Sequence, residues 1–217
     1  LAGAGLIAYY YSYQNSHYIK TEDARITTNM VTVYPQVAGK ILDWNIQEGD
    51  EVKAGQVMGH QDLEFLLTSN AASSQALNTS AGVMASKAEI KSPISGRVIQ
   101  SGVTEGQIVS SGTGTAIIAD TSGYYVSANI KETNVYSIKP GQKVDLAIDA
   151  YPGSRFSGFV KSIGQATNSV FSLLPTQNTS GSFTKVTQLV PAKISIVNAS
   201  DIDLMPGMNV TVKIHIK

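Results

Sequence analysis

The chain has 217 residues, 16 Lys+Arg against 16 Asp+Glu, three His and no Cys. That length supports one or two packed domains with a sizeable core. Zero net charge argues against the basic face of a nucleic-acid binder, and the missing cysteine removes thiol nucleophiles, thiolate metal sites and disulfides together. Only 15% of residues are charged while Ser and Thr number 41. The surface is therefore expected to be polar but uncharged, which suits β structure facing an extracytoplasmic space.

The opening run Leu1-Ala-Gly-Ala-Gly-Leu-Ile-Ala-Tyr-Tyr-Tyr-Ser-Tyr13 is apolar, then aromatic, and turns polar from Gln14. Thirteen helical residues cover roughly 20 Å, short of the roughly 30 Å hydrocarbon layer. The run reads as the remnant of a membrane anchor over 1–19, with Tyr9, Tyr10, Tyr11 and Tyr13 as the aromatic belt where it leaves the bilayer. The tail of a signal peptide or the start of a soluble domain remain as alternatives. Residues 20–33 follow, and their β-rich part, Ile26 to Val33, is expected to pair as a strand with a barrel later in the chain.

A shift of 57 residues then superimposes two segments. The first, within 34–62, runs Val37-Ala-Gly39-Lys-Ile41, Ile46, Glu48-Gly49, Val52, Gly55. The second, within 88–120, runs Ile94-Ser-Gly96-Arg-Val98, Val103, Glu105-Gly106, Val109, Gly112. Alternating apolar residues predict strands, and the glycines mark places that need φ > 0 or a close neighbour. Neither copy buries its apolar face alone, so the two are expected to close a small sandwich by pseudo-twofold symmetry.

Glu48-Gly49-Asp50-Glu51-Val52-Lys-Ala-Gly55-Gln56 and Ser92-Pro93-Ile-Ser-Gly96-Arg-Val98 resemble the two halves of a lipoyl/biotinyl domain. In carriers of that kind a modified Lys stands on the turn joining the halves. Here Phe65 to Ser86 holds no charged residue, and the stretch is too long for a hairpin turn. The resemblance passes instead to membrane fusion proteins of the HlyD family, the periplasmic adaptors, in which an α-helical hairpin separates the halves. Residues 63–87 lack sustained heptads and e/g charges, so a shortened hairpin or a flexible Ala/Ser linker is expected there.

From 121 to 217 the pattern is alternation. Val144, Leu146 and Ile148 form one set and Val210, Val212, Ile214 and Ile216 another, each preceded by a Pro-Gly turn, Ile138-Lys-Pro140-Gly141 and Leu204-Met-Pro206-Gly207. An antiparallel β-barrel is expected. The fold class is thus mainly β: a split lipoyl-like sandwich plus a barrel.

Thr21-Glu-Asp-Ala-Arg-Ile26, Val126-Ser-Ala-Asn-Ile-Lys-Glu-Thr133 and above all the run from Phe171 to Val186 narrow the resemblance to the EmrA-type multidrug-efflux adaptors. That resemblance implies a single-pass inner-membrane protein with its bulk on the periplasmic or extracytoplasmic side. It also implies a homo-oligomer partnering a proton-driven transporter of the major facilitator class, and allows an outer-membrane channel beyond it.

No enzyme chemistry is expected. His17, His60 and His215 are scattered without metal-ligand spacing, and Glu48-Gly49-Asp50 reads as turn chemistry because the second copy has Gln107 in the place of Asp50. Gly39, Gly49 and Gly55 lack a Walker sequence, and Gly112-Thr-Gly114 is too short for a dinucleotide fingerprint. No catalytic, cofactor or metal residues are assigned. Gly39, Gly49, Gly55, Gly96, Gly106, Gly112, Gly141 and Gly207 are expected to be structural. Phe171, Leu173, Leu174 and Phe183 are expected either to plug the barrel's end or to contact a partner or substrate. A β-rich binding or adhesion protein without a transporter, and a biotin or lipoyl carrier subunit, stay open as other readings.

Overall fold

In the computed structural model, which describes residues 17–62, 86–171, 187–199 and 202–216, the alternating segments are strands. They divide between two compact units, one of Thr28–Gly123 and one of Tyr124–Lys217 together with the segment ending at Thr27. Of the expected anchor and linker over 1–19, residues 1–16 lie outside the described residues, while Tyr18 and Ile19 already stand in a strand of the second unit; of the expected hairpin or linker over 63–87, residues 63–85 lie outside them, as do Leu173, Leu174 and Phe183.

The first unit holds β3 (Met30–Val33), β4 (Gly39–Trp44), β5 (Glu51–Val52), β6 (Val57–Gln61), β7 (Glu89–Lys91), β8 (Gly96–Ser101), β9 (Ile108–Val109) and β10 (Ala116–Ala119). They make two four-stranded sheets, ordered β3-β10-β8-β5 and β7-β6-β4-β9. The 57-residue shift carries one order onto the other, strand by strand. It also carries the register: Glu51 faces Arg97 and Val52 faces Gly96, as Ile108 faces Lys40 and Val109 faces Gly39. Even the irregularities coincide, one between Ile41 and Asp43 and one opposite Ile117/Ile118 at Val98 and Gln100. A bulge repeated at the same place in both copies belongs to the repeat's design.

Each sheet contains strands of both copies, because the short β5 crosses to β8 and β9 crosses to β4. The apolar pairs Ile41/Val98, Ile46/Val103, Val52/Val109 and Val33/Ile90 consequently meet in one core. Burying them is the main favourable term that holds the halves together.

The second unit is a seven-stranded antiparallel sheet in the order β1-β15-β12-β13-β14-β11-β2. Its strands are β1 (Tyr18–Thr21), β2 (Ala24–Thr27), β11 (Tyr125–Lys131), β12 (Lys143–Ile148), β13 (Phe156–Ile163), β14 (Leu189–Ser195) and β15 (Val210–His215). The edge strands β1 and β2 are consecutive in the chain, and β2 is tied back to the residues before β15: Ile26 N–H donates to Met208 O at 2.9 Å, and Gly207 N–H to Ile26 O at 2.8 Å. The sheet therefore closes on itself. Val144, Leu146, Ile148, Val210, Val212 and Ile214 all point into its core at 2% exposure or less, as their alternation requires. Ile216 falls just past β15 and is only partly buried.

Two expectations need correction. Residues 20–33 do not join the barrel as one piece: β2 pairs with β11, but β3 pairs with β10 in the sandwich. Thr28, whose hydroxyl donates to Asp120 O, marks the crossing. Alternation reports burial of one face, not which sheet supplies the partner. The other correction is a four-residue helix, α1 (Glu132–Val135), after β11, where the sequence carries no helix signal. It is too short to show a period of 3.6.

Candidate functional site

The turns are built by side chains that close on their own backbone. In the first copy the Asp50 carboxylate accepts from Gln47 N–H at 2.7 Å; in the second, the Gln107 amide oxygen accepts from Thr104 N–H at 3.2 Å. Glu48 accepts from Ser101 N–H at 3.2 Å. Glu48 and Asp50 thus serve separate backbone amides, an arrangement for holding turns.

The turn glycines at 49, 55, 106, 141 and 207 have φ between +81° and +97°, the left-handed region that side chains strain to adopt. Gly49 donates to Val98 O and Gly106 to Ile41 O, both at 2.8 Å, so each copy's turn glycine is bonded to the other copy's strand. Gly96 is required for space: a Cβ there would lie 2.1 Å from Ala119 O. Its counterpart Gly39 would meet only the Gln61 side chain, at 3.2 Å. Gly112 departs from the expectation, having neither positive φ nor any neighbour within 4 Å. Its turn is instead closed by Thr113, whose hydroxyl accepts from Ser110 N–H.

His60 Nδ1 lies 2.9 Å from both Asp43 carboxylate oxygens, and His215 Nε2 lies 2.7 Å from Asp145. His60 and His215 are in different units. No group of three or more His, Asp or Glu that could hold a metal occurs among the described residues. Glu89, opposite His60, is held below the ordinary carboxyl value of 4.5 by its hydrogen bond and ion pair with Lys91, at 2.6 Å.

Phe171 ends a 3₁₀ turn, Asn168–Phe171, that packs beside β14. Sequence reasoning missed Tyr136, which follows α1 and is 95% exposed, and Val170, 69% exposed. Neither belongs to a repeat, and a lone exposed apolar residue leaves no periodic trace. The Trp44 indole N–H, donating to Ser101 Oγ at 2.8 Å, was missed too, although the two residues are 57 apart. The repeat itself was the signal that pointed there.

The comparisons with known proteins agree with this architecture. A family model described as "RND MFP, barrel-sandwich hybrid domain" matches residues 29–121, and one described as "YknX-like beta-barrel domain" matches 124–214. YhbJ of Bacillus subtilis (strain 168), whose name assigns it to an efflux system, is 40% identical over 205 residues, covering 93% of this chain and 81% of its own. The colistin resistance protein EmrA of Acinetobacter baumannii is 38% identical over 130 residues, covering 59% of this chain and 37% of its own. The chain thus spans about a third of that relative's length. The solved periplasmic adaptor protein EmrA shares the fold with a TM-score of 0.56 at 14% identity, covering 91% of this chain and 98% of its own. With sandwich, barrel and near full-length relative in agreement, this chain belongs to the membrane fusion protein family, the EmrA-like adaptor components of efflux systems.

Proposed function

We propose that the chain is the non-enzymatic adaptor of a multidrug efflux system. It is held at the cell membrane by a single N-terminal span ending near Tyr13, with its bulk on the extracytoplasmic side. Its transporter is of the proton-driven major facilitator class. Several copies pack side by side, and an outer-membrane channel completes the path where the envelope has one.

One observation carries this reading. The sandwich has the carrier fold, yet the chain between Gln61 in β6 and Glu89 in β7 has Lys87 as its only lysine, and Lys87 lies two residues before β7 instead of standing on a tight turn between the halves. A carrier would keep its prosthetic arm there, whereas an adaptor places its excursion there. Turn-building polar groups and the paired His60 and His215 are consistent with work done by geometry.

The test is deletion of the gene together with affinity capture of the intact protein from membranes. The expected result is lost tolerance to several chemically unrelated compounds and co-capture of a multi-span transporter with more than one copy of this chain. Unchanged tolerance and a monomer captured alone would overturn the reading. Lost surface attachment with tolerance intact would favour an adhesion protein, and a biotin or lipoyl mass on the chain would favour a carrier.

A further inference from the structure

The loops at one end of the barrel differ in kind from those at the other. β1 runs from Tyr18, which faces His215, and Lys143 opens the neighbouring β12, so Tyr18, His215 and Lys143 lie at the same end. Phe159 faces Lys143, and Lys131 faces Leu189. The segments 131–143 and 161–171 therefore cap the end at which β1 begins. They carry Lys131, Lys139, Lys143 and Lys161, all exposed, against the single acid Glu132. Of the nearby acids, Glu22 is paired with Lys20, Asp145 with His215, and the exposed Asp23 accepts from the Asn129 side chain at 3.0 Å. At the opposite end, the described loop residues of 149–155 and 196–209 hold Asp149, Asp203 and Arg155 but no lysine.

Two apolar side chains project from the lysine-bearing end. Tyr136 is 95% exposed although both its flanks are fixed: Val135 packs on the core, Ile138 is 4% exposed, and Ser137 N–H donates to Asn134 O at 3.1 Å. Val170 is 69% exposed in a 3₁₀ turn that Asn168 pins to Asn129 at 2.9 Å. An aromatic held outward by a fixed loop amid lysines that make no ion pair among the described residues is the arrangement that suits a phosphate-rich, half-apolar boundary.

The chain's own path says which boundary. Leu1–Ala8 are apolar and Tyr9, Tyr10, Tyr11 and Tyr13 follow. From Tyr13 to Tyr18 is at most about 18 Å of extended chain at roughly 3.5 Å per residue, so a lipid layer taking up the first thirteen residues must lie close to these loops. We infer that this end of the barrel docks on the anionic headgroup face of a lipid bilayer, with Tyr136 and Val170 entering the interface and Lys131, Lys139, Lys143 and Lys161 meeting lipid phosphates. This inference rests on the N-terminal anchor of the proposed function and adds a second contact with the bilayer to it.

Tryptophan emission reads it directly. In the full chain with Trp44→Phe, the variants Tyr136→Trp, Val170→Trp and, at the opposite end, Met205→Trp each carry a single tryptophan. They would be reconstituted in phosphatidylglycerol/phosphatidylethanolamine vesicles brominated at shallow acyl positions, with circular dichroism confirming the fold. Positions 136 and 170 should shift to the blue and lose most of their emission, and less so in phosphatidylcholine vesicles. Position 205 should stay unquenched. Floating protein with position 136 unquenched overturns the docking surface while sparing the anchor, and leaves that end to a protein partner. Protein that does not float with the vesicles overturns anchor and docking surface together.

Discussion

In the first half of the sandwich the Trp44 ring lies over Gly59, where an added Cβ would come within 2.6 Å of the indole and 2.5 Å of Asp43 O. In the second half the same two places hold Ser101 and Ala116. The large residue and the glycine of one copy have become a small residue and an alanine in the other, and the Trp44–Ser101 hydrogen bond joins the two sites. Near the second site a cleft of about 120 Å³ opens among Thr32, Gln100, Gly102, Gly114, Thr115, Ala116 and Ile117. The halves therefore share hydrogen bonding and register but divide volume differently. What a twofold-repeated sandwich must keep constant is turn conformation and strand pairing; side-chain volume need only balance across the core.

Substitutions at equivalent positions break this comparison in a definite order. The largest difference is expected between Gly96→Ala, which drives a Cβ into the Ala119 carbonyl and should cost about 3 kcal/mol, and Gly39→Ala, where the Gln61 side chain can yield and about 1 kcal/mol or less is expected. Urea denaturation of both variants checks it, and equal costs would show that the crowding does not differ.

Gly59→Ala should cost about 3 kcal/mol alone but less in a Trp44→Ser background that imitates the second half. The double-mutant cycle should give a coupling of about 1 kcal/mol or more. Strict additivity would mean that Trp44 does not set the glycine. Next, Met58→Ala empties a fully buried site and should cost about 3 kcal/mol. At its counterpart, Thr115→Val should cost only about 1 kcal/mol, because Val33 O keeps the Thr115 backbone N–H after the hydroxyl bond is lost.

Gly49→Ala and Gly106→Ala sharpen the comparison from the other side. Both positions have positive φ and open space around the Cβ, so each should cost about 1 kcal/mol, equally in the two halves. The smallest effect belongs to Glu89, whose counterpart is the uncharged Thr32. Its carboxyl is held low chiefly by Lys91, so the stabilisation it adds is present above the ordinary carboxyl value and fades as pH falls through its lowered folded-state value. Glu89→Gln should remove a slight loss of stability below about pH 4.5, with no matching change for Thr32→Ala.

Much of the fold was legible because the repeat exposed it: Gly39/Gly96, Gly49/Gly106 and the apolar pairs announced two copies of one unit, and Pro140-Gly141 and Pro206-Gly207 announced turns before barrel strands. Three things were not legible. The division of 20–33 between two sheets depends on which neighbour has a free edge. The requirement at Gly96 but not Gly112 depends on a carbonyl 23 residues away in one case and open space in the other. Tyr136 carries no pattern at all, since its exposure follows from the burial of Val135 and Ile138 on either side.

By itself the sequence determined what acts over a few residues: φ at the turn glycines and prolines, the inward alternation of each strand, and the existence of two equivalent units. Only the tertiary structure decided that β5 and β9 would each leave their own copy to pair with the other, and that the barrel would close by joining β2 to the residues before β15. Backbone conformation is a local energy. Strand partnership depends on which apolar faces and unpaired edges remain to be covered once every other element is in place.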